Sequence, residues 1–132
     1  RHDMSVVASY EASSKWKFGG VFVYGTGNAI TLPERFYFIN GVLTQEYSKL
    51  NQYRMKAYHR IDLSATYTPT PKKKRRLISY WVFSIYNTYS RLNPYFIYFD
   101  QDGSINNGDL KVEARQVSLF PVIPAVTWNF KF

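Results

Sequence analysis

Asp100-Gln101-Asp102-Gly103, followed by Asn106 and Asp109, gathers several oxygen donors into one short segment. Calcium takes roughly six to eight oxygen ligands, and the EF-hand spacing is not met, so the segment reads as a solvated loop with Asx turns. His2 and His59 stand without partners at metal-ligand spacing, and the chain has no cysteine. No metal and no cofactor is expected.

Catalytic patterns are equally absent from the sequence. There is no Gly-x-Ser-x-Gly, no His-Glu-x-x-His and no P-loop. Gly25-Thr26-Gly27-Asn28-Ala29-Ile30 begins like a dinucleotide fingerprint but lacks the third glycine and leaves a strand for a loop. It reads as a glycine-permitted bend. No catalytic residue is assigned, and the chain is not read as an enzyme.

Two features could instead bind. Lys72-Lys73-Lys74-Arg75-Arg76 holds five of the 17 basic residues and so concentrates the net charge of +8 in one place. Nucleic-acid binders spread such charge over a face, so the run reads as a solvated turn near lipid headgroups or water. Between Asn28 and Lys56, Arg35, Phe36, Tyr37, Phe38, Tyr47 and Tyr53 offer stacking surfaces for a sugar, a peptide or a partner protein. Packing against neighbouring loops explains them equally well.

The elements that position these residues are strands. Val6, Ala8 and Tyr10 share one parity. Trp16, Phe18, Gly20, Phe22 and Tyr24 follow, then Ile61, Leu63, Ala65 and Tyr67, then Trp81, Phe83 and Ile85, then Val126, Trp128, Phe130 and Phe132. Each set alternates with residues that are mostly small or polar, Val7, Val21, Val23 and Val82 excepted, the period of a two-faced strand. The sequence predicts five strands and no helix. The longest apolar run, Tyr95 to Phe99, falls well below the roughly 18 residues of a membrane-spanning helix.

Connections run short, long, short, long: a turn after Glu11, the segment 28–56, a turn after Pro69, and the segment 90–110. Transmembrane barrels are built this way. With strands running up and down, Trp16, Trp81 and Trp128 all fall at the short-turn end, as an interfacial girdle requires. Arg60 and Asp62 share the polar parity and are expected to point into the lumen and to find a partner in the plug domain or on adjacent strands.

The chain ends Trp128-Asn129-Phe130-Lys131-Phe132, which resembles the assembly signal of outer-membrane barrels. Tyr58-His59-Arg60-Ile61-Asp62-Leu63-Ser64, Trp81-Val82-Phe83-Ser84-Ile85-Tyr86-Asn87, Asn93-Pro94-Tyr95 and Ser118-Leu119-Phe120-Pro121-Val122-Ile123-Pro124 resemble the closing strands of TonB-dependent receptors, in the style of Bacteroidota members. The resemblance covers nearly the whole chain. It implies an all-β, antiparallel transmembrane barrel segment, residues 1–132 forming the C-terminal portion of a wall of about 22 strands. It further implies a Gram-negative outer-membrane location and energy-coupled nutrient uptake. Implied partners are the remaining barrel and its plug, the TonB complex acting through that plug, the barrel-assembly machinery, a surface lipoprotein lid and membrane lipid. No nucleic acid is among them. The plug is not in this sequence, and the start at Arg1-His2-Asp3 is read as a mature end or a cut-out of something longer.

Two rivals differ in class. One is a soluble basic β domain binding nucleic acid through Tyr and Phe, which needs aromatics and cations interleaved on one face. The other is an outer-membrane barrel with a structural or adhesive role and no transport.

Overall fold

The computed structural model describes residues 2–47, 49–70, 78–103 and 107–131. It is all-β, with every strand pairing antiparallel. Eleven strands are present among the described residues: β1 (Asp3–Glu11), β2 (Trp16–Gly25), β3 (Ala29–Ile30), β4 (Arg35–Ile39), β5 (Val42–Glu46), β6 (Tyr53–Arg54), β7 (Tyr58–Tyr67), β8 (Ile78–Tyr86), β9 (Pro94–Asp102), β10 (Lys111–Ser118) and β11 (Ile123–Lys131).

The main sheet holds five strands in the order β1-β2-β7-β8-β11. These are the five that the period of two predicts, and neighbours in the sheet follow one another along the chain. The sheet is open: β1 and β11 each have one neighbour in it, and it does not close into a barrel. Residues directly opposed in a ladder share a face. The register therefore aligns Tyr10, Phe18, Ala65, Phe83 and Val126 in one row, and Val6, Phe22 and Ile61 in another. Ser9, Gly19, Ser64, Ser84 and Ala125 form a row of small residues on the opposite face.

Both long connections contain more structure than five strands allow. The first carries the hairpin β4–β5 and the short ladder β3–β6, and the second carries the hairpin β9–β10. Asn40 and Gly41 turn β4 into β5 with φ of 50° and 81°, the paired positive values of a tight two-residue hairpin. An Asn-Gly pair between apolar residues is a hairpin signal, and the segment 28–56 is accordingly not one loop. Similarly, Tyr95 to Phe99 lie on β9, so 90–110 is not one loop. The last strand begins at Ile123, earlier than the alternation from Val126 indicated, and takes in Pro124 opposite Ile85.

The described residues enclose no apolar interior of ordinary size. Among the described residues Met55, at 6% exposure, is the one fully buried apolar side chain, whereas Asn87 (1%) and Asn93 (3%) are the buried polar ones. The buried centre of the molecule is a polar corner, and the large apolar side chains stand on the sheet's surface.

Candidate functional site

Trp16 faces Tyr67, Tyr67 faces Trp81, and Trp81 faces Trp128, so one aromatic row crosses four strands next to the short turns. The Trp16 and Tyr67 rings are 4.8 Å apart, and those of Trp81 and Trp128 are stacked at 5.7 Å. Phe130 extends the group, 4.9 Å from Trp128. Above the row the same face presents Phe18, Leu63, Phe83, Ile85 and Val126, all exposed, with Val126 at 62%. Phe22 and Ile61, farther up, are half-buried.

The opposite face is polar at its outer end. Arg60 Nε donates to Asp62 Oδ2 at 2.9 Å, and Arg60 Nη1 donates to the hydroxyls of Tyr58 at 2.8 Å and Tyr86 at 2.6 Å. The Arg60 guanidinium also lies 4.3 Å from the Tyr86 ring centroid. Spacing of two along β7 puts Tyr58, Arg60 and Asp62 side by side, and Tyr86 reaches in from β8. Arg60 thus pairs with Asp62 of its own strand, and of the partners expected from the plug or adjacent strands the structure shows one, the Tyr86 hydroxyl of β8.

Asp62 also builds the corner. Its second oxygen accepts from the Asn87 N–H at 2.9 Å. Asn87, at φ 51°, then donates through Nδ2 to the carbonyls of Arg91 and Phe120, and its Oδ1 accepts from the Arg91 N–H. Asn93 Oδ1 accepts from the His59 N–H, and Asn93 Nδ2 donates to the His59 carbonyl. These side chains replace strand pairing where β8 has ended. His59, expected as an ordinary polar position, has its Nδ1 2.7 Å from the Tyr89 hydroxyl. Partial loss of hydration raises the Tyr89 hydroxyl above its ordinary value, with the Arg91 cation opposing. The dense Asn, Arg and Tyr content of 87–93, ending just before Pro94, was the available signal for this corner.

The residues of the first long connection do not form one cluster. Arg35, Phe36, Tyr37 and Phe38 lie on β4, Tyr47 follows β5, and Tyr53 lies on β6. Phe36 packs on Phe99 of β9 at 5.3 Å, which joins the two outer hairpins, while Tyr37, Phe38, Tyr47 and Tyr53 are exposed. Asp100 and Asp102 are strand residues of β9, and Asp100 pairs with Arg115 at 3.1 Å. Among the described residues no three His, Asp or Glu side chains converge on a metal position. Gly27 is buried, and a Cβ there would stand 1.7 Å from the Met55 carbonyl oxygen. Close approach of two backbones, and not a left-handed bend, requires this glycine.

A cleft of about 470 Å³ opens where the polar face meets these connections, with Asp3, Ser5, Lys56, Tyr58 and Tyr95 in its wall. Lys72–Arg76, Asn106 and Phe132 lie outside the described residues. No family model matches the chain, and no curated protein or solved structure does so either.

Proposed function

We propose that the chain is a stretch of transmembrane barrel wall, the C-terminal strands of an outer-membrane TonB-dependent receptor that takes up a nutrient. One observation carries the membrane part: an apolar face continuous over five strands, exposed and ending in an aromatic row. Exposed patches of this extent are foreign to soluble monomers and suit a hydrocarbon surroundings with indoles at headgroup depth. The open edges at β1 and β11 fit a larger wall, because unpaired backbone groups in lipid cost several kcal/mol each. The polar face, with Arg60 and Asp62, then lines the lumen, and the two outer hairpins face the cell exterior.

The transport part rests on the resemblance of the β7, β8 and terminal segments to receptor closing strands. In that reading Trp128, Phe130 and Phe132 present the assembly signal, a plug supplied elsewhere contacts the TonB complex, and a lipoprotein lid meets the hairpins. The nucleic-acid alternative wants aromatics and cations on a shared face. Here Lys17, Arg60 and Lys131 stand opposite to Trp16, Phe83 and Trp128 in parity.

Topology tests the membrane part. In intact producing cells, Val42→Cys at the β4–β5 tip should react with an impermeant maleimide, and Ser14→Cys in the short turn should react only after permeabilisation. Equal labelling of both from outside contradicts the reading. For transport, strains lacking this chain and strains lacking TonB should fail on a shared nutrient in a growth panel; no shared defect refutes uptake.

A further inference from the structure

We propose that Arg60, Tyr58 and Tyr86 form a binding site for the carboxylate group of a small solute on the polar face of the sheet. The argument begins with unused donors. Arg60 spends Nε on Asp62 and Nη1 on the two tyrosine hydroxyls. Its Nη2 hydrogens meet no acceptor among the described residues, and the side chain keeps 25% of its surface open. Both tyrosine oxygens accept from the guanidinium, so at least one hydroxyl hydrogen remains to donate outward. A planar cation edge beside a phenol is a two-point donor for a carboxylate.

The site is held in place before any ligand arrives. The guanidinium is pinned by Asp62 and flanked by the Tyr86 ring at 4.3 Å, so little side-chain freedom is lost on binding. Charge selects the ligand class. Asp62, 2.9 Å from Nε, leaves the cluster close to neutral, so a monoanion is accepted and a phosphate dianion is repelled. Room exists next door: Tyr58 and Val23, the residue directly opposite Arg60, line the 470 Å³ cleft, which also holds Lys56. A solute of moderate size can place its body there while its carboxylate meets Arg60. That the solute arrives through a barrel lumen rests on the reading above; the site itself does not.

The test is protection of Arg60 from phenylglyoxal in the assembled protein, followed peptide by peptide with mass spectrometry, with the monoanion butyrate as the probe. For a millimolar site of about 5 mM, about 20 mM butyrate slows modification roughly fivefold, and butyramide or chloride at equal concentration does not. Y58F/Y86F leaves Arg60 reactive but brings the protection close to none. Equal protection by butyramide, equal or greater protection by phosphate, or no protection by butyrate overturns the proposal. So does undiminished protection in Y58F/Y86F. This readout concerns Arg60 alone, so its failure is distinguishable from failure of the maleimide topology.

Discussion

The side-chain amide of Asn93 stands in for a neighbouring strand at His59, accepting from its N–H at 3.0 Å and donating to its carbonyl at 2.9 Å. The ladder between β7 and β8 is registered from Leu63 to Tyr67, so the outer end of β7 needs another partner on that side. Asn93 supplies it, and its backbone carbonyl accepts from Leu119 N–H on the return to β11. One buried residue thereby fixes the base of the β9–β10 hairpin.

Asn93→Leu strands both backbone groups of His59 and should cost about 2–4 kcal/mol. Asn93→Asp keeps the acceptor and should cost less. Because the damage is local, protease cleavage within 90–118 should rise before global unfolding shifts. Unchanged cleavage in Asn93→Leu argues against this role.

Gly27 and Gly41 should respond differently to the same substitution. A Cβ at Gly27 collides with the Met55 carbonyl, so Gly27→Ala should destabilise by about 3–5 kcal/mol. At Gly41 nothing lies within 4 Å, and the φ of +81° alone limits Gly41→Ala to about 1 kcal/mol. Comparable unfolding midpoints for the two variants contradict the packing described.

Asp62 should matter more than Arg60, because it holds both the guanidinium and the Asn87 N–H. Both side chains are about a quarter exposed, so solvent screening reduces the loss. Asp62→Ala should cost about 2–3 kcal/mol and Arg60→Ala about 1–2 kcal/mol, and the double variant less than their sum. Strict additivity in chemical denaturation removes the coupling.

The main sheet was legible because its strands keep a period of two: Trp81, Phe83 and Ile85 put their bulk on one parity, against Val82, Ser84 and Tyr86, and the register keeps that parity together across strands. The hairpin β9–β10 was less legible. Tyr95 to Phe99 is apolar on both parities, since Phe99 packs on Phe36 while Phe96 and Tyr98 stay exposed. The polar corner was hidden for another reason. Asn87 and Asn93 act through backbone groups of His59, Arg91 and Phe120, and such bonds leave no period in the sequence. Arg60 was visible as a lumen candidate, but its phenol partner Tyr86 lies 26 residues away and only strand pairing brings it near.

The central claim is that the two faces of the sheet meet different solvents. This chain has no cysteine, so once any cysteine elsewhere in the assembled protein is replaced, single cysteines at Val82, Phe83, Ser84, Ile85 and Val126 can each carry a spin label in the membrane-reconstituted protein. Collision with oxygen, which concentrates in hydrocarbon, is then compared with collision with a water-soluble nickel chelate. Labels at Phe83, Ile85 and Val126 should favour oxygen, and those at Val82 and Ser84 should favour nickel, alternating along β8 with a period of two. If the Phe83, Ile85 and Val126 labels favour nickel, or are shielded from both reagents as in a protein core, the apolar face does not meet lipid and the barrel-wall account is wrong.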